Sequence, residues 1–457
     1  MRFSLRISGK HYEAIRAHLF PGDNLEAIAF GLCGSHITDE DILLTVCEVL
    51  TIPYEVCGRE QVKITWPTEL LAPLLDKAQS KGLSVIKFHS HPSDFKKFSD
   101  SDNKSDAELS CSVANWMNDN SLYGSVVLLP GGEIFGRTVA DNKIEPLSII
   151  TVVGDDISCH HHYSDEENVN NAFEAHQQLF GAGTVAKLSK LKAGIIGCSG
   201  TGSIVLELLM RLGVGAFVLV DHDKIEDRNL NRIVNSKRKD IGRFKVEALT
   251  DAINSIDLRP QVLPIASNLF DPNAVHAVAG CDVLFGCMDT AEGRHLLNRI
   301  ATFYIIPLFD LGVHLAADGH GGINEASGVL HYLQPGGSSL LSRKAYTMAR
   351  VRAENLFRTD PKSYKDQFNA GYIEGVDEKS PAVASINATI ASLAVNEFLA
   401  RIHPYRSCLS TDCATVRFNF METAMMREEE SGPCPVLSPH VGRGDVDPLL
   451  DMPALSK

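Results

Sequence analysis

The segment AGIIGCSGTGSIVLELLMRLG, residues 193–213, joins an apolar run to an amphipathic stretch through a glycine-rich loop. The apolar run predicts a strand, and the stretch after the loop predicts a helix. Gly197, Gly200 and Gly202 permit a tight turn and close backbone approach, so that amide N–H groups and the helix N-terminus face a phosphate. Alone, this loop indicates a nucleotide site and fits a dehydrogenase equally well.

Polar residues after the loop separate these two classes of enzyme. The next apolar run, AFVLV, ends at Asp221, which is placed to hydrogen-bond ribose hydroxyls, as in NAD enzymes. Further on, the chain carries side chains suited to phosphate and metal: Asn229, Asn231, Arg232, Lys245 and Asp289. A nucleotidyl transferase uses such cations to stabilise charge developing on phosphates, and a carboxylate can hold Mg²⁺. Hydride transfer needs neither, so the pattern favours a nucleotidyl transferase.

A second polar cluster lies in FHSHPSDFKKFSDSD, residues 88–102. His89 and His91 follow an apolar run, and strand alternation places both side chains on one face. With Asp102 they form a three-ligand set that leaves a fourth tetrahedral position for water, the open geometry of catalytic zinc. Ser99 can donate a hydrogen bond to an oxyanion. Glu26 opens the apolar segment LEAIAFGLCG, where a lone carboxylate needs a partner.

The composition is ordinary for a soluble globular protein. The chain has 457 residues, a formal net charge of −14 and eleven cysteines. This length suggests two or three domains, and the acidic balance argues against nucleic acid as a partner. We find no signal peptide and no stretch of membrane-spanning length, so we expect a cytoplasmic protein with reduced cysteines and no membrane partner.

The pattern of apolar runs predicts four segments. Residues 1–153 mix short strands with the helical TELLAPLLDKAQSKG, which predicts an α/β domain with a mixed sheet. Residues 154–173 are polar and acidic and are interpreted as a linker. Residues 174–426 follow a strand–helix–strand pattern, and the Pro/Gly-rich residues 427–457 are expected to form an irregular or mobile tail.

The N-terminal pattern resembles the JAB/JAMM family of deubiquitinase-like zinc isopeptidases. That family shows Glu, then His-x-His-Pro, seven residues, then Ser-x-x-Asp, and all five positions are matched here. The resemblance implies a JAB/MPN-like domain in which His89, His91 and Asp102 bind Zn²⁺. It also implies that Glu26 is the catalytic acid/base and that Ser99 supports the oxyanion. A chance histidine pair and a pseudoenzyme that keeps only the fold are the alternatives.

The second half resembles the ThiF/MoeB/HesA superfamily, the adenylation domains of ubiquitin-activating enzymes. The match runs from HQQLFGAG at 176–183 to the helix that ends near 402. It implies a Rossmann-like domain that binds ATP through Gly197, Gly200 and Gly202, and a homodimer. By resemblance the remaining ligands are Asp221 for ribose, Asn229, Arg232 and Lys245 for phosphates, and Asp289 for Mg²⁺. Arg232 and Lys245 are also the catalytic cations of this half.

The sequence departs from this superfamily at its cysteines. Many relatives carry a PGGPCLLC-like segment near a structural zinc or a thioester cysteine, but here it reads PGGSSLLS, with Ser339 and Ser342. Serine is a poor zinc ligand and forms an ester rather than a thioester. Either the protein only adenylates its partner, or a thiol comes from Cys408, Cys413 or Cys434. Cys434, in SGPCP, is expected in an exposed tail; ordinary reduced cysteines are the simpler interpretation.

Three smaller departures bear on the site. Ser199 stands where many relatives have a glycine, and its small side chain should be tolerated. Gln177 stands where relatives often place an arginine that reaches the phosphates of a dimer mate, and a neutral amide cannot supply that charge. The run CHHHY at 159–163 has no second metal-binding cluster, so we interpret it as solvated rather than as a metal site.

Together these features predict a bifunctional enzyme of a prokaryotic ubiquitin-like pathway. One half cleaves a peptide or isopeptide bond after a ubiquitin-like C-terminus, and the other adenylates the C-terminal glycine. The partners are then a ubiquitin-like protein and a conjugating enzyme. This pairing of modules is similar to that in bacterial conjugation operons, some linked to antiphage defence. The alternatives are activation of a sulfur-carrier protein in cofactor or cysteine synthesis, and a non-catalytic binding scaffold.

Overall fold

The structure of the chain is a computed structural model that describes residues 1–117, 122–140, 143–162, 171–376 and 381–455. The described residues form two compact units. The first comprises Met1–Glu166, Phe303–Ile305 and His440–Ser456, and the second comprises Glu167–Thr302 and Ile306–Pro439. Each unit combines helices with a sheet, which confirms the predicted α/β class. Within the described part of the chain, the helices are too short or too polar to cross a membrane.

The first unit is built on a mixed sheet. Its elements are β1 Arg2–Ser8, α1 Gly9–Leu19, β2 Ile28–Ile37, β3 Asp41–Thr51, β4 Gly58–Arg59, β5 Ile64–Thr65, α2 Ala72–Lys81, β6 Ser84–Ser90, α3 Asp100–Met117, β7 Tyr123–Leu128, β8 Ile134–Ala140, β9 Lys143–Val153 and β10 Ile157–His161. The main sheet has the order β1-β3-β2-β6-β7-β8-β9-β10, and an additional β1–β9 pairing makes it barrel-like. The strands β4 and β5 pair separately.

Helices pack on both faces of this sheet, and strand alternation sorts the side chains between them. One apolar cluster joins Ile15 and Leu19 of α1 to Ile86 and Phe88 of β6. The other joins α2 and α3 to the opposite face of the sheet, where Val85 of β6 lies. Successive side chains of a strand point to opposite faces, and Val85 belongs to the cluster with α2 and α3. The odd-numbered side chains of β6 therefore point toward α2 and α3. This places His89 on the α3 side.

Two segments differ from the sequence-based expectation. Part of the predicted linker forms β10, which pairs antiparallel to β9, so Cys159, His160 and His161 belong to the sheet; residues 163–170 lie outside the described residues. Because this strand sits at the edge of the sheet, its polar composition hid it. The predicted tail is largely irregular, but it packs as part of the first unit from His440 onward instead of standing free.

The second unit has a doubly wound core. Its elements are α4 Glu174–Phe180, α5 Ala182–Ser189, β11 Lys192–Ile196, α6 Gly200–Leu212, β12 Ala216–Val220, α7 Lys245–Asn254, β13 Gln261–Ile265, α8 Pro272–Ala279, β14 Val283–Gly286, α9 Ala291–Phe303, β15 Leu308–Ala317, β16 Ile323–Leu333, α10 Met348–Thr359, α11 Pro361–Asn369, α12 Ala384–Ile402, β17 Thr415–Asn419 and β18 Ala424–Glu428.

The strand order of the second sheet fixes where a ligand binds. The order is β13-β12-β11-β14-β15-β16-β17-β18, parallel from β13 to β15 and antiparallel from there to β18. The parallel part follows the Rossmann order 3-2-1-4-5, which confirms the predicted Rossmann-like domain. The strand order reverses between β11 and β14, and ligands of such sheets bind beyond the strand ends at that point. The glycine loop after β11 lies there.

Candidate functional site

The glycine loop is packed so tightly that its glycines have no room for side chains. Gly197 has φ +91°, and a Cβ there would lie closer than 3.0 Å to the carbonyl of Cys287, just after β14. A Cβ on Gly202 would lie closer than 3.0 Å to the carbonyl of Gly197. The N-cap residue of α6, Ser199, makes no side-chain capping bond. The N–H groups of this first turn are therefore available to an anion.

Asp221 fixes the loop to the end of β12. Its carboxylate accepts hydrogen bonds from the Cys198 N–H (2.8 Å) and the Asp223 N–H (2.8 Å). Lys245, the first residue of α7, is buried; its Nζ lies 2.6 Å from Asp223 Oδ2 and 3.5 Å from Asp221 Oδ2. Although burial opposes it, this ammonium holds the pKa of Asp223 below its usual range. The structure thus brings together Asp221 and Lys245, with Lys245 paired to carboxylates instead of lying free.

The segment that contains Asn229 and Arg232 lies beside the same loop. Asn229 is buried, and its Oδ1 accepts a hydrogen bond from the Glu226 N–H (2.9 Å), which leaves its amide donors for a ligand. Arg232 donates to the Arg228 carbonyl (2.8 Å), and its Cδ lies 3.3 Å from the position that a Cβ on Gly200 would take. Arg232 is therefore close to the start of α6, and Asn229 lies three residues before it in the same segment.

Asp289 is exposed and lies three residues beyond β14. Its predicted role in binding Mg²⁺ stays a prediction. Closer to the loop, Asp221, His222 and Asp223 offer ligand atoms within 4.8 Å of one another. Asp223 was not among the predicted site residues; the D-x-D spacing after β12 was the signal that could have identified it. Gln177, which stands where relatives often place an arginine, lies on α4.

The structure brings the two histidines and Asp102 together at the end of β6. His89 Nε2 lies 3.0 Å from Asp102 Oδ1, and His91 Nε2 lies 3.4 Å from Asp102 Oδ2. Both histidines are buried, and the three ligand atoms lie within 4.8 Å of one another. His91 follows the last residue of β6 instead of belonging to it, while Asp102 lies in the first turn of α3. This donor set suits a tetrahedral metal.

The hydrogen bonds around this cluster also suit a metal. His91 Nδ1 lies 2.7 Å from the Phe95 carbonyl, an arrangement that fixes Nδ1–H as the donor and directs the Nε2 lone pair at the cluster. Neither ring nitrogen of buried His89 has a hydrogen-bond partner among the described residues, although Nε2 lies next to Asp102. The ring of His89 thus meets Asp102 on the side that faces the cluster, and Nε2 is available to a metal ion.

Ser99 is engaged with Asp102. The Ser99 N–H and hydroxyl each donate to Asp102 Oδ2 at 2.7 Å, and Ser99 Oγ accepts from the Asp102 N–H at 3.1 Å. This reciprocal arrangement is a capping box that starts α3. The Ser99 hydroxyl can therefore donate to an oxyanion only by giving up its bond to Asp102.

Glu26 lies just before β2, at the edge of the histidine cluster. The pairing of Ile28 with His89 and the bond from the Ser90 N–H to the Ala27 carbonyl place Glu26 opposite His91. Glu26 is buried, and burial raises the pKa of its carboxyl to about 7. A carboxyl with such a pKa can exchange a proton near neutral pH.

A buried ionic network lies beside the cluster and was missed from the sequence. Asp106 of α3 is 1% exposed and pairs with Lys87 of β6 and with Arg137 of β8 (2.6 Å). The Tyr123 hydroxyl also donates to Asp106 (3.2 Å). Lys87 precedes His89 by two residues, so it shares the face of β6 that meets α3. The i, i+4 spacing of Asp102 and Asp106 on one helix was the available signal.

The cysteine predictions require one correction. Cys434 was expected in an exposed tail, but its side chain is buried, at 1% exposed, so it does not offer an accessible thiol for transfer. Cys413 is also buried, and Cys408 is partly exposed, with 3.9 Å between their sulfurs. Ser339 and Ser342 bond to each other's backbone N–H groups (2.9 and 3.1 Å), which stabilises a turn.

Known proteins are similar to part of this chain. The sequence profile of the ThiF family matches residues 173–436. The adenylyltransferase and sulfurtransferase UBA4 of Meyerozyma guilliermondii is 29% identical over 122 residues, which is 27% of this chain and 29% of that protein. The SAMP-activating enzyme E1 of Haloferax volcanii is 30% identical over 151 residues, 33% of this chain and 52% of that protein. The chain thus spans about half or less of these relatives.

Similarity extends to a modifier-activating enzyme and a solved structure. The ubiquitin-like modifier-activating enzyme 5 of Aedes aegypti is 25% identical over 208 residues, 42% of this chain and 49% of that protein. A crystal structure of E. coli MccB with ATP covers 60% of this chain and 75% of its own, with a TM-score of 0.45 and 23% sequence identity.

Proposed function

Since the chain belongs to the ThiF family, we propose that its second unit is an ATP-dependent adenylyltransferase that activates the C-terminal glycine of a ubiquitin-like protein. The observation that carries this proposal is the position of Lys245, which is buried within reach of Asp221 at the glycine loop. A buried ammonium beside a phosphate-binding turn provides charge where a nucleotidyl transfer needs it. The names of the relatives, which include activating enzymes and adenylyltransferases, support the same reaction.

In this reaction a carboxylate oxygen attacks the α-phosphorus of ATP, and pyrophosphate leaves. Asp221 accepts hydrogen bonds from the ribose hydroxyls, and the first turn of α6 donates to the phosphates. Lys245 exchanges its contact with Asp223 for a phosphate oxygen, while Arg232 and Asn229 hold further phosphate oxygens. Asp289 and Asp223 have the hard oxygen donors that Mg²⁺ prefers, and Mg²⁺ there would neutralise charge on the leaving pyrophosphate.

ATP–pyrophosphate exchange tests this proposal. We expect exchange that depends on a ubiquitin-like protein with a C-terminal glycine, and its loss in Lys245→Ala. The matched control is Lys239→Ala, because Lys239 is exposed, and it should exchange like the wild type. A wild-type chain that neither binds MgATP nor exchanges pyrophosphate with any such protein would overturn the proposal.

Two pathways are compatible with adenylation. The first is conjugation of a modifier to lysine with a conjugating enzyme, in a prokaryotic system of the antiphage kind. The second is loading of a sulfur carrier, which the similarity to the adenylyltransferase and sulfurtransferase UBA4 favours. The product decides between them: mass spectrometry would find either a lysine conjugate or a C-terminal thiocarboxylate. Homodimerisation also stays a proposal, which sedimentation of the intact chain would test.

For the first unit we propose a zinc-dependent peptidase that cleaves after the C-terminus of the ubiquitin-like protein. The observation that favours it is the convergence of buried His89, His91 and Asp102, whose ligand atoms lie within 4.8 Å of one another and form a three-ligand set. Zinc held there would supply a Lewis acid and activated water near neutral pH. Glu26 is the proton carrier, because its raised pKa lets it accept and return a proton.

Metal content tests the first unit without any partner protein. We expect about one zinc per chain in the wild type, because the three side chains form one candidate zinc site. We expect none in His89→Ala, because that change removes one of the three ligands. His320→Ala is the control, because His320 is exposed and distant in the sequence. Cleavage of a C-terminally extended ubiquitin-like protein should be lost in Glu26→Gln while zinc stays bound. Absence of both zinc and ATP binding would favour a binding scaffold.

A further inference from the structure

Asn387 is a buried polar residue in the first turn of α12. It is 5% exposed, and its backbone N–H bonds to the Val383 carbonyl (3.0 Å) as part of the helix. Across the described residues, its side-chain amide has no hydrogen-bond partner. The side chain is thus mostly enclosed, and its amide N–H groups are available to a ligand.

The amide of Asn387 lies at the start of the glycine-loop helix. A Cβ on Gly200 would come closer than 3.0 Å to Asn387 Nδ2 and within 3.3 Å of Arg232 Cδ. Asn387 therefore occupies the space that a side chain at position 200 would take. The Gly200 N–H and the Asn387 amide, which can both donate hydrogen bonds, therefore lie together here beside the aliphatic part of the Arg232 side chain.

Two helix N-termini meet at this point. Gly200 is the first residue of α6, and Asn387 lies in the first turn of α12; the N-cap residues Ser199 and Val383 make no side-chain capping bonds. Each N-terminus carries a partial positive charge and unpaired N–H groups. Their convergence favours an anion more strongly than either helix alone.

We propose that Asn387 is an additional ATP ligand, whose Nδ2 donates a hydrogen bond to a phosphate oxygen of the bound nucleotide. This inference rests on the proposed adenylyltransferase function. It adds a ligand from α12 to the glycine loop. A neutral amide suits this place because a carboxylate would repel the phosphate.

The test measures MgATP affinity of the intact chain by isothermal titration calorimetry. Loss of a hydrogen bond to a charged phosphate should weaken binding about tenfold in Asn387→Ala. Asn387→Asp should weaken it further. The control is Asn396→Ala, the same substitution at an exposed position of α12, which should leave affinity unchanged.

Thermal unfolding without nucleotide separates a ligand from a structural residue. An aspartate in the first turn of α12 interacts favourably with the helix dipole, so Asn387→Asp should keep or raise the unfolding temperature while lowering ATP affinity. Wild-type MgATP affinity in both Asn387→Ala and Asn387→Asp would overturn this inference and leave the adenylyltransferase proposal standing. A wild-type chain that binds no MgATP would overturn both.

Discussion

At the scale of single residues, Gly202 shows how little space the nucleotide loop leaves. Its Cα faces the carbonyl of Gly197, so an added methyl group would come closer than 3.0 Å to that oxygen. The obstacle is backbone, which cannot rotate away as a side-chain tip can. The loop must therefore open if position 202 carries a side chain, and the N–H groups of α6 then lose their alignment.

We expect Gly202→Ala to lower the free energy of unfolding by about 1–3 kcal/mol, the usual range for overpacking, and to abolish MgATP binding. Urea unfolding and calorimetry measure the two effects. Gly183→Ala is the matched control, because Gly183 also lies in a helix, α5, and a Cβ there meets nothing within 4 Å. The control should be neutral or slightly more stable, since alanine favours helix. Equal stability of the two variants would contradict this account of the loop.

His331 makes stability depend on pH. It is buried on β16 beside Thr415, 3.1 Å from its Oγ1. Burial, with Arg343 and Arg294 nearby, lowers the pKa of His331 to about 2. The unfolded chain binds this proton near pH 6.5 and the folded chain does not, so the stabilisation is present above that pH and is lost as the pH falls.

Between about pH 7 and pH 5, this single group should cost the second unit about 2 kcal/mol. In His331→Gln, which retains a partner for Thr415, that part of the pH dependence should disappear. Urea unfolding at several pH values measures the slope. His320→Gln, at an exposed turn, should keep the wild-type slope; a slope in His331→Gln equal to the wild type would refute the assignment.

At the scale of elements, α3 is held to the sheet by one buried carboxylate. Asp106 pairs with Lys87 of β6 and Arg137 of β8, and Arg137 also donates to Asn103 of α3 (2.7 Å). The same helix carries Asp102 into the histidine cluster. The position of α3 therefore sets the distance from Asp102 to the two histidines.

Replacing Asp106 with asparagine leaves two buried cations without a countercharge. We expect Asp106→Asn to destabilise the first unit by about 3–5 kcal/mol, the range for breaking one side of a buried ion pair. Hydrogen exchange of β6 and α3 measures it. Glu108→Gln on the exposed side of α3 removes the same charge and should change little. Similar exchange in both variants would show that the network contributes little.

The sequence predicted those elements whose residue pattern lies within one short segment of the chain. The run before Gly197 and the amphipathic stretch after Gly202 identified β11 and α6, because a strand, a turn and a helix each have their own pattern. The strand β10 was missed since its polar edge position lacks an apolar period. Asn387 was missed because it lies almost two hundred residues beyond the loop, and only packing of α12 on α6 brings it near.

At the scale of the whole molecule, the first unit is completed by the end of the chain. The Gly442 carbonyl accepts hydrogen bonds from the Gly34 N–H of β2 (3.2 Å) and from the Thr45 hydroxyl of β3 (2.9 Å). The Asp445 N–H donates to the Ser35 carbonyl (2.7 Å). Sequence periodicity cannot detect this return, because the contacts join residues about four hundred positions apart.

This return requires a glycine where the segment crosses β3. Gly442 has φ +70°, and a Cβ there would lie closer than 3.0 Å to the Val46 carbonyl. Gly432 has φ +91° but meets nothing within 4 Å. Alanine at either position bears the cost of a left-handed backbone, about 1 kcal/mol or somewhat more. Only alanine at 442 also pushes the segment off the sheet.

We therefore expect Gly442→Ala to speed amide hydrogen exchange in β2 and β3, because the bonds to Gly34 and Thr45 are lost and the strands open more often. Gly432→Ala should leave exchange in these strands as in the wild type. Ending the chain at Pro439 should reproduce the effect of Gly442→Ala on β2 and β3 and enlarge it. If both alanine variants exchange alike, the segment rests on the sheet without stabilising it, and the first unit folds from residues 1–162 without the segment.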